Sequence, residues 1–303
     1  MNNQTLTEPT LLIKTIILIG IMVICALIGS GLLLGLAHLS GMDLMSGMDV
    51  FDAVTEPALR PFIKAGIGLN HLAMFTLSAF VFAYWIRRRT WMSYFDTRPV
   101  DLDLLVKFVI LLFLAYPLIG LSAVLLEHID LPEWMISLDE KSIESLMNML
   151  QMNGMGDLIV NLIIVALIPA IGEELLFRGV IQKELVKHMN NPHAAIFIAS
   201  VIFSGFHLQI QGFIPKLIIG IVLGYAYYLT RSIWYPMLIH FVNNGIQVVL
   251  LFVAGDQLEA AQETEEKPEI IVLLMVVVFS CFLCHLLVRH ILEIIEKKNV
   301  PNT

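Results

Sequence analysis

Residues 158–178 read LIVNLIIVALIPAIGEELLFR, and this mostly apolar stretch indicates the fold class of the chain. Its apolar run continues through Glu173 and Arg178 toward Lys187. The run is long enough to cross a bilayer, because a spanning helix needs about 20 residues. Ionisable side chains at membrane depth are costly, so by default they indicate a functional site. The stretch therefore predicts a membrane helix that carries chemistry.

The composition of the whole chain agrees with this prediction. Hydrophobic residues make up 58% of the 303 residues and charged residues 15%, whereas soluble domains are about half apolar and about a quarter charged. Because a soluble protein of this length could not bury the excess apolar surface, we predict an all-α integral membrane protein. The lipid bilayer is its first expected partner. The net charge of −8 says little about other partners, and we expect no nucleic acid among them.

Apolar runs of sufficient length predict about eight transmembrane helices in one membrane domain. Besides the helix quoted above, which we place from Asp157 toward Lys187, the predicted spans are Thr15–Leu39, Ala65–Ile86, Leu104–Leu126, His193–Leu208, Phe213–Thr230, Ile233–Val253 and Ile270–Val288. No internal repeat stands out.

Loop charges predict the orientation of these helices. The loops on one side are basic and contain Arg87, Arg88, Arg89, Arg98, Arg178, Lys183, Lys187, Arg231, Arg289, Lys297 and Lys298. The loops on the other side are acidic and contain Asp43, Asp49, Asp52, Glu56, the stretch 127–144 and the stretch 256–269. By the positive-inside rule both termini are cytoplasmic. We expect a multi-pass protein in the plasma membrane of a prokaryote.

Polar residues at membrane depth concentrate in the second half of the chain, on three predicted helices. The candidate site residues are Glu173, Glu174, Arg178, His207, His240 and Asn244. Phe203, one turn before His207, is interpreted as packing beside the site. The other histidines are interpreted as core residues: His38, His71, His128, His188, His193, His285 and His290.

Helical spacing suggests how the candidate residues divide their roles. Glu174 and Arg178 stand four residues apart with the acid first, the favourable order for an ion pair within a helix. Glu173 is rotated about 100° away and has no such partner in its helix, which makes it the candidate general base. His240 and Asn244 project from one face of their helix. A purely structural ion pair is the alternative for Glu174 and Arg178, and it is compatible with an enzyme.

The turn near Asn190 predicts that two of these residues meet. Glu173 lies 17 residues before Asn190 and His207 lies 17 residues after it. In an antiparallel hairpin, equal distances from the turn mean equal heights, here roughly 25 Å along the helices. We therefore expect Glu173 and His207 at one depth, in a site reached from the cytoplasm.

The three motifs resemble those of the CPBP family, the CAAX protease and bacteriocin-processing group that includes the type II CAAX prenyl endopeptidases. The family pattern is EExxxR, FxxxH and HxxxN, matched here by Glu173-Glu174-x-x-x-Arg178, Phe203-x-x-x-His207 and His240-x-x-x-Asn244. Each motif is short, but all three in order on separate spans are specific. The resemblance covers roughly residues 158–250, so substrate identity cannot be carried over.

The resemblance implies eight transmembrane helices around a conical catalytic cavity. It implies that Glu173 and His207 activate water and that His240 and Asn244 stabilise the oxyanion, with Glu174 and Arg178 in support. Family members are often described as metalloproteases, and one carboxylate with two histidines is a known catalytic zinc set. The HExxH signature of many zinc peptidases is absent. Zinc-dependent and metal-independent mechanisms both stay open, with a slight preference for the latter.

Four regions follow: a cytoplasmic tail (1–14), the first three spans and their loops (15–150), a catalytic CPBP-type core (151–254), and an acidic loop with the last span and a basic tail (255–303). We expect an intramembrane endopeptidase that cleaves a membrane-associated or lipidated peptide. One alternative is a non-proteolytic immunity or regulatory protein that binds a peptide or membrane partner. A second is a transporter that relays protons, which the missing inverted repeat disfavours.

Overall fold

The computed structural model of the protein describes residues 8–39, 59–126, 128–263 and 270–299. Within these ranges the chain is helical, and its β-structure is limited to an isolated bridge between Thr97 and Ser232. The helices are α1 (Leu11–Leu39), α2 (Arg60–Tyr94), α3 (Leu102–Leu126), α4 (Glu133–Leu150), α5 (Met155–His188), α6 (Pro192–Gly205), α7 (Phe213–Thr230), α8 (Trp234–Glu263) and α9 (Ile270–Asn299). The predicted all-α class is confirmed.

Seven helices in the described part of the chain are long and apolar enough to cross a membrane. They are all of those above except α4 and α6, and they agree with the predicted spans to within a few residues at most ends. The chain is a multi-pass integral membrane protein. The acidic residues predicted for the first outer loop (Asp43, Asp49, Asp52 and Glu56) lie outside the described ranges.

The predicted fifth span is shorter in the structure than in the sequence analysis. Helix α6 has 14 residues, or about 21 Å, whereas a bilayer core is about 30 Å thick. The Asn191 side chain caps its start, and the helix ends at Gly205. His207, expected on this span, lies instead in the turn that leads to α7.

The acidic stretch between the third and fourth spans contains α4, a helix that the sequence analysis did not predict. Asp139 on α4 is buried, with 2% of its surface exposed. Its carboxylate accepts hydrogen bonds from the backbone N–H groups of Ile210 and Gln211 at 2.8–3.1 Å. Helix α4 is therefore tied to the turn after α6.

Three π-helical turns interrupt helices α2 and α5. Helix α2 contains one at Leu72–Leu77, and α5 contains two, at Leu162–Leu167 and Phe177–Gln182. A π turn bonds residue i to i+5, which lets a helix take up one extra residue, and such turns are frequent at functional sites.

A polar contact joins α2 to α5 near the start of both helices. The Lys64 ammonium donates to Asn161 Oδ1 at 2.7 Å, and Asn161 Nδ2 donates to the carbonyl of Leu150 at 3.1 Å. Lys64 and Asn161 are both buried. The contact fixes which faces of α2 and α5 meet.

Glycines bring α7 close to α5 and α6. A Cβ added at Gly220 would lie 3.1 Å from Ser200 Cβ, and one at Gly224 would lie 2.9 Å from Gln182 Oε1. The carbonyls of Gly220 and Gly224 accept hydrogen bonds from Arg178 at 3.1 Å and Gln182 at 2.9 Å. Membrane helices commonly associate in this way, through small residues that allow close backbone approach.

Asp96, in the segment after α2, contacts α5, α7 and the turn before α8 at the predicted cytoplasmic side. Its carboxylate accepts from Lys183 at 2.9 Å and from the Tyr227 hydroxyl at 2.7 Å, and its carbonyl accepts from Ile233 N–H at 2.7 Å. Burial alone would raise the pKa of Asp96, but the hydrogen bonds and charge of Lys183 and the Tyr227 hydroxyl outweigh it and lower the pKa below its ordinary value.

Candidate active site

Helix α5 places Glu173, Glu174 and Arg178 deep between the helices, with 7%, 0% and 1% of their surfaces exposed. Arg178 Nη1 donates to Glu174 Oε1 at 3.0 Å. The ion pair expected from the i,i+4 spacing is therefore present. Arg178 Nη2 donates to the Gly220 carbonyl at 3.1 Å, and the guanidinium lies 4.4 Å from the Phe203 ring centroid.

Glu174 also holds the histidine of the third motif. His240 Nδ1 donates to Glu174 Oε1 at 2.8 Å, so one carboxylate oxygen receives both Arg178 and His240. His240 is 4% exposed. Since its Nδ1 carries the proton in this hydrogen bond, Nε2 of the neutral ring is an acceptor.

Asn244 uses both amide protons within the protein. Asn244 Nδ2 lies 3.2 Å from His240 Nε2 and donates to the Val165 carbonyl at 3.1 Å. Its Oδ1 accepts from Asn243 at 2.9 Å. The expected i,i+4 neighbours His240 and Asn244 are thus hydrogen-bonded to each other in this structure.

Glu173 has one engaged and one free oxygen. Its Oε1 lies 3.0 Å from His71 Nε2 on α2. Its Oε2 is buried and has no hydrogen-bond partner among the described residues. Glu173 also interacts electrostatically with His207 and His240. The carboxylate with no cationic partner in its own helix is therefore the one that faces three histidines.

His207 presents one ring nitrogen to the site from the turn after α6. Its Nδ1 lies 3.0 Å from the Phe203 carbonyl. Because a carbonyl only accepts, Nδ1 carries the proton and Nε2 has a free lone pair. The Phe203 ring packs 5.1 Å from the His207 ring and 6.1 Å from the His240 ring. Phe203 therefore contacts the rings of both candidate histidines.

The described residues do not assemble a metal site. No three His, Cys, Asp or Glu side chains in the described part of the chain lie together as ligands. Both ring nitrogens of His240 have partners, and one oxygen of Glu173 is engaged by His71. A zinc ion would have to displace these contacts, so a metalloprotease, which the sequence left open, is not supported.

Residues 155–246 match the family model of the Rce1-like type II CAAX prenyl endopeptidases. The predicted family resemblance is confirmed. The matched segment contains all three motifs and covers less than a third of the chain. The family is one of peptidases, which supports a protease.

The chain also resembles a curated bacterial protein. It is 30% identical over 114 residues to a Bacillus subtilis (strain 168) protein described as uncharacterized protein YpbD. The alignment covers 35% of this chain and 56% of that protein, so the chain spans about half the length of this relative. No solved structure matches the chain.

His71, interpreted from the sequence as a core histidine, contacts the candidate base Glu173 in the structure. It lies about a hundred residues before Glu173 and belongs to none of the three motifs. A signal was available, because His71 follows Asn70 inside an apolar span and an ionisable residue at that depth is a functional candidate. Asp139, which holds the turn after His207, was read only as part of an acidic loop.

Proposed function

We propose that the protein is an intramembrane endopeptidase that hydrolyses a peptide bond by direct activation of water. The observation that carries the proposal is Glu173, a buried carboxylate whose Oε2 has no hydrogen-bond partner among the described residues and which interacts electrostatically with two histidines of the matched family segment. Structural polar contacts between membrane helices usually use neutral side chains. Glu174 Oε2 also has no partner among the described residues, but Glu174 is already held by Arg178 and His240, so we place the water on Glu173.

In the proposed reaction, Glu173 Oε2 and His207 Nε2 hold the attacking water between them. Both are acceptors, which suits the two protons of a water molecule. Glu173 takes one proton as the water oxygen bonds to the carbonyl carbon, and it delivers that proton to the leaving amine as the C–N bond breaks. The two products are a new carboxyl terminus and a new amino terminus.

His240 and Asn244 are the proposed oxyanion donors, and this role requires a rearrangement. The Asn244 proton that now points to His240 Nε2 would turn to the substrate oxygen. His240 would donate from Nε2 only as an imidazolium, with its Nδ1 proton still donated to Glu174 Oε1. One donor of this kind contributes about 3–4 kcal/mol to transition-state stabilisation.

The proposed substrate is a membrane-associated or lipidated peptide. The site lies within the membrane helices, and the matched family is described as CAAX prenyl endopeptidases. Purified protein in lipid nanodiscs should therefore cleave a fluorogenic peptide with a farnesylated CAAX end. We expect Glu173→Gln and His207→Ala to reduce kcat by about a hundredfold or more.

Exposed residues of the same types provide matched controls. Glu140→Gln on α4 and His128→Ala after α3 change exposed side chains and should cleave like the wild type. Comparative proteomics of cells with Glu173→Ala should also reveal an unprocessed membrane peptide. Activity that survives both site substitutions would contradict the proposal, and a wild-type phenotype with Glu173→Gln would favour the non-proteolytic alternative.

A further inference from the structure

We propose that His71 is a positioning residue that orients Glu173 and so extends the site beyond the matched segment into α2. The inference rests on the proposed function above. His71 Nε2 lies 3.0 Å from Glu173 Oε1. A base must be ionised to act, and an ionised carboxylate only accepts hydrogen bonds. His71 is then the donor, and it fixes one oxygen while the other remains free for water.

The surroundings of His71 fix the plane and position of its ring. The ring stacks on Phe75, with centroids 4.3 Å apart and an interplanar angle of 27°. Gly172 precedes Glu173, and a Cβ there would lie 2.8 Å from Thr76 Oγ1 and 3.4 Å from His71 Cε1. The glycine therefore creates the space that lets this part of α2 reach Glu173.

Helix α1 supports the same segment from the opposite side. Asn70 Nδ2 donates to Ser30 Oγ at 3.2 Å. A Cβ at Gly29 would lie 3.0 Å from Ala73 Cβ, so α1 and α2 are in close contact here. The residues on either side of His71 are thus held by α1, and the helix turn that carries His71 cannot move away from Glu173 without disturbing this packing.

The contact between His71 and Glu173 uses one polar atom of each side chain. Glu173 Oε2 and His71 Nδ1 are both buried without a hydrogen-bond partner among the described residues. Glu174 Oε2 is also without a partner among the described residues, but Glu174 Oε1 receives two donors, including the cation Arg178. Within the described ranges Glu173 receives a single donor, His71, which orients it without the charge of a cation in contact.

Two substitutions that differ in the position of one nitrogen test the proposal. In His71→Gln the amide nitrogen can occupy the position of Nε2, whereas in His71→Asn it reaches only the position of Nδ1. We expect His71→Asn to lower kcat for the farnesylated CAAX reporter roughly ten- to a hundredfold, the equivalent of one hydrogen bond to a charged group. His71→Gln should retain kcat to within a few-fold, and both variants should keep KM.

A structural role would give a different pattern. Both variants would then lose thermal stability and folded yield to a similar extent, while the folded fraction would turn over like the wild type. Wild-type kcat in folded His71→Asn would overturn the inference and leave the proposed function intact.

A second measurement does not depend on activity. In protein labelled with ¹⁵N-histidine in bilayers, the His71 ring signals are those lost in His71→Gln. We expect a protonated Nε2 whose signal moves in Glu173→Gln. A His71 signal insensitive to Glu173→Gln would overturn the inference even if no reporter is cleaved or His71→Asn fails to fold.

Discussion

Two adjacent glutamates at the centre of this membrane protein have opposite surroundings. Glu174 accepts from Arg178 and His240 on one oxygen and is completely buried. Within the described part of the chain, Glu173 accepts from His71 alone. The 100° rotation between neighbours on a helix directs one toward α8 and the other toward α2. Both carboxylates are buried, so the two residues differ in their hydrogen-bond partners and not in their exposure.

Neutralising the two glutamates should therefore have unequal effects on stability. Glu174→Gln leaves the buried Arg178 without its counter-charge, and breaking a buried pair costs about 3–5 kcal/mol. Glu173→Gln keeps an acceptor for His71 and should cost less than about 1.5 kcal/mol. Thermal unfolding of both variants in the same detergent checks this order. Equal melting temperatures would show that Arg178 is compensated elsewhere.

The elements α2, α5 and α6 were predicted well as helices and less well in their contacts. The apolar runs gave the helices because hydrophobicity over about 20 residues is a strong local signal. The i,i+4 contacts within α5 and α8 followed from spacing alone. The contact between α2 and α5 did not, because it depends on how separate helices pack. The end of α6 before His207 also depends on a local break that hydrophobicity does not mark.

At the level of helix packing, Gly172→Ala tests the approach of α2 to α5. The added methyl would lie 2.8 Å from Thr76 Oγ1 and 3.1 Å from Phe75 Cβ, so α2 must shift away. We expect destabilisation of about 1–3 kcal/mol and a reduced kcat, because His71 moves with α2. Gly120→Ala in α3 is the control, since no atom lies within 4 Å of the position that its added methyl would occupy. Unchanged stability and kcat in Gly172→Ala would contradict this packing.

Asp139 offers a second test at this scale. Asp139→Ala removes the acceptor for the backbone N–H groups of Ile210 and Gln211. The turn that carries His207 should loosen, with a loss of stability of about 1–3 kcal/mol and a lower kcat. The neighbouring exposed residue is the control, and Glu140→Ala should behave like the wild type. Hydrogen exchange at residues 207–212 should rise only in Asp139→Ala.

The whole molecule is a set of membrane helices whose charges predict both termini in the cytoplasm. A fluorescent protein fused after Thr303 should therefore fluoresce, while a reporter that is active only outside the cytoplasm should be active when inserted in the loop before α4. The reverse result would overturn the assigned orientation. The boundaries of the four predicted regions, at residues 14, 150 and 254, stay a prediction.

The lowered pKa of Asp96 makes the free energy of unfolding of the protein depend on pH. The pKa of Asp96 is lower in the folded protein than its ordinary value of 3.8, so its contribution is present above that value and is lost as the pH falls through the lowered pKa. Because the side chain is 43% exposed, solvent screening limits the contribution to about 1 kcal/mol or less. At pH 7 the wild type should have a higher melting temperature than Asp96→Asn, and the difference in melting temperature should shrink toward pH 3. The exposed Asp130→Asn should show no such difference at either pH.

The π turn at Leu162–Leu167 has a consequence for helical phase. Asn161 and Glu173 are twelve residues apart, and a regular α-helix would rotate them about 120° from each other. The one extra residue that a π turn takes up reduces this angle to about 20°. Their partners Lys64 and His71 are seven residues apart, also about 20°. Deleting one residue from this turn would therefore restore a regular α-helix and leave the two contacts in phase. Regularising the turn with all its residues kept would put the contacts about 120° apart, and α5 could then keep Lys64 or His71 but not both.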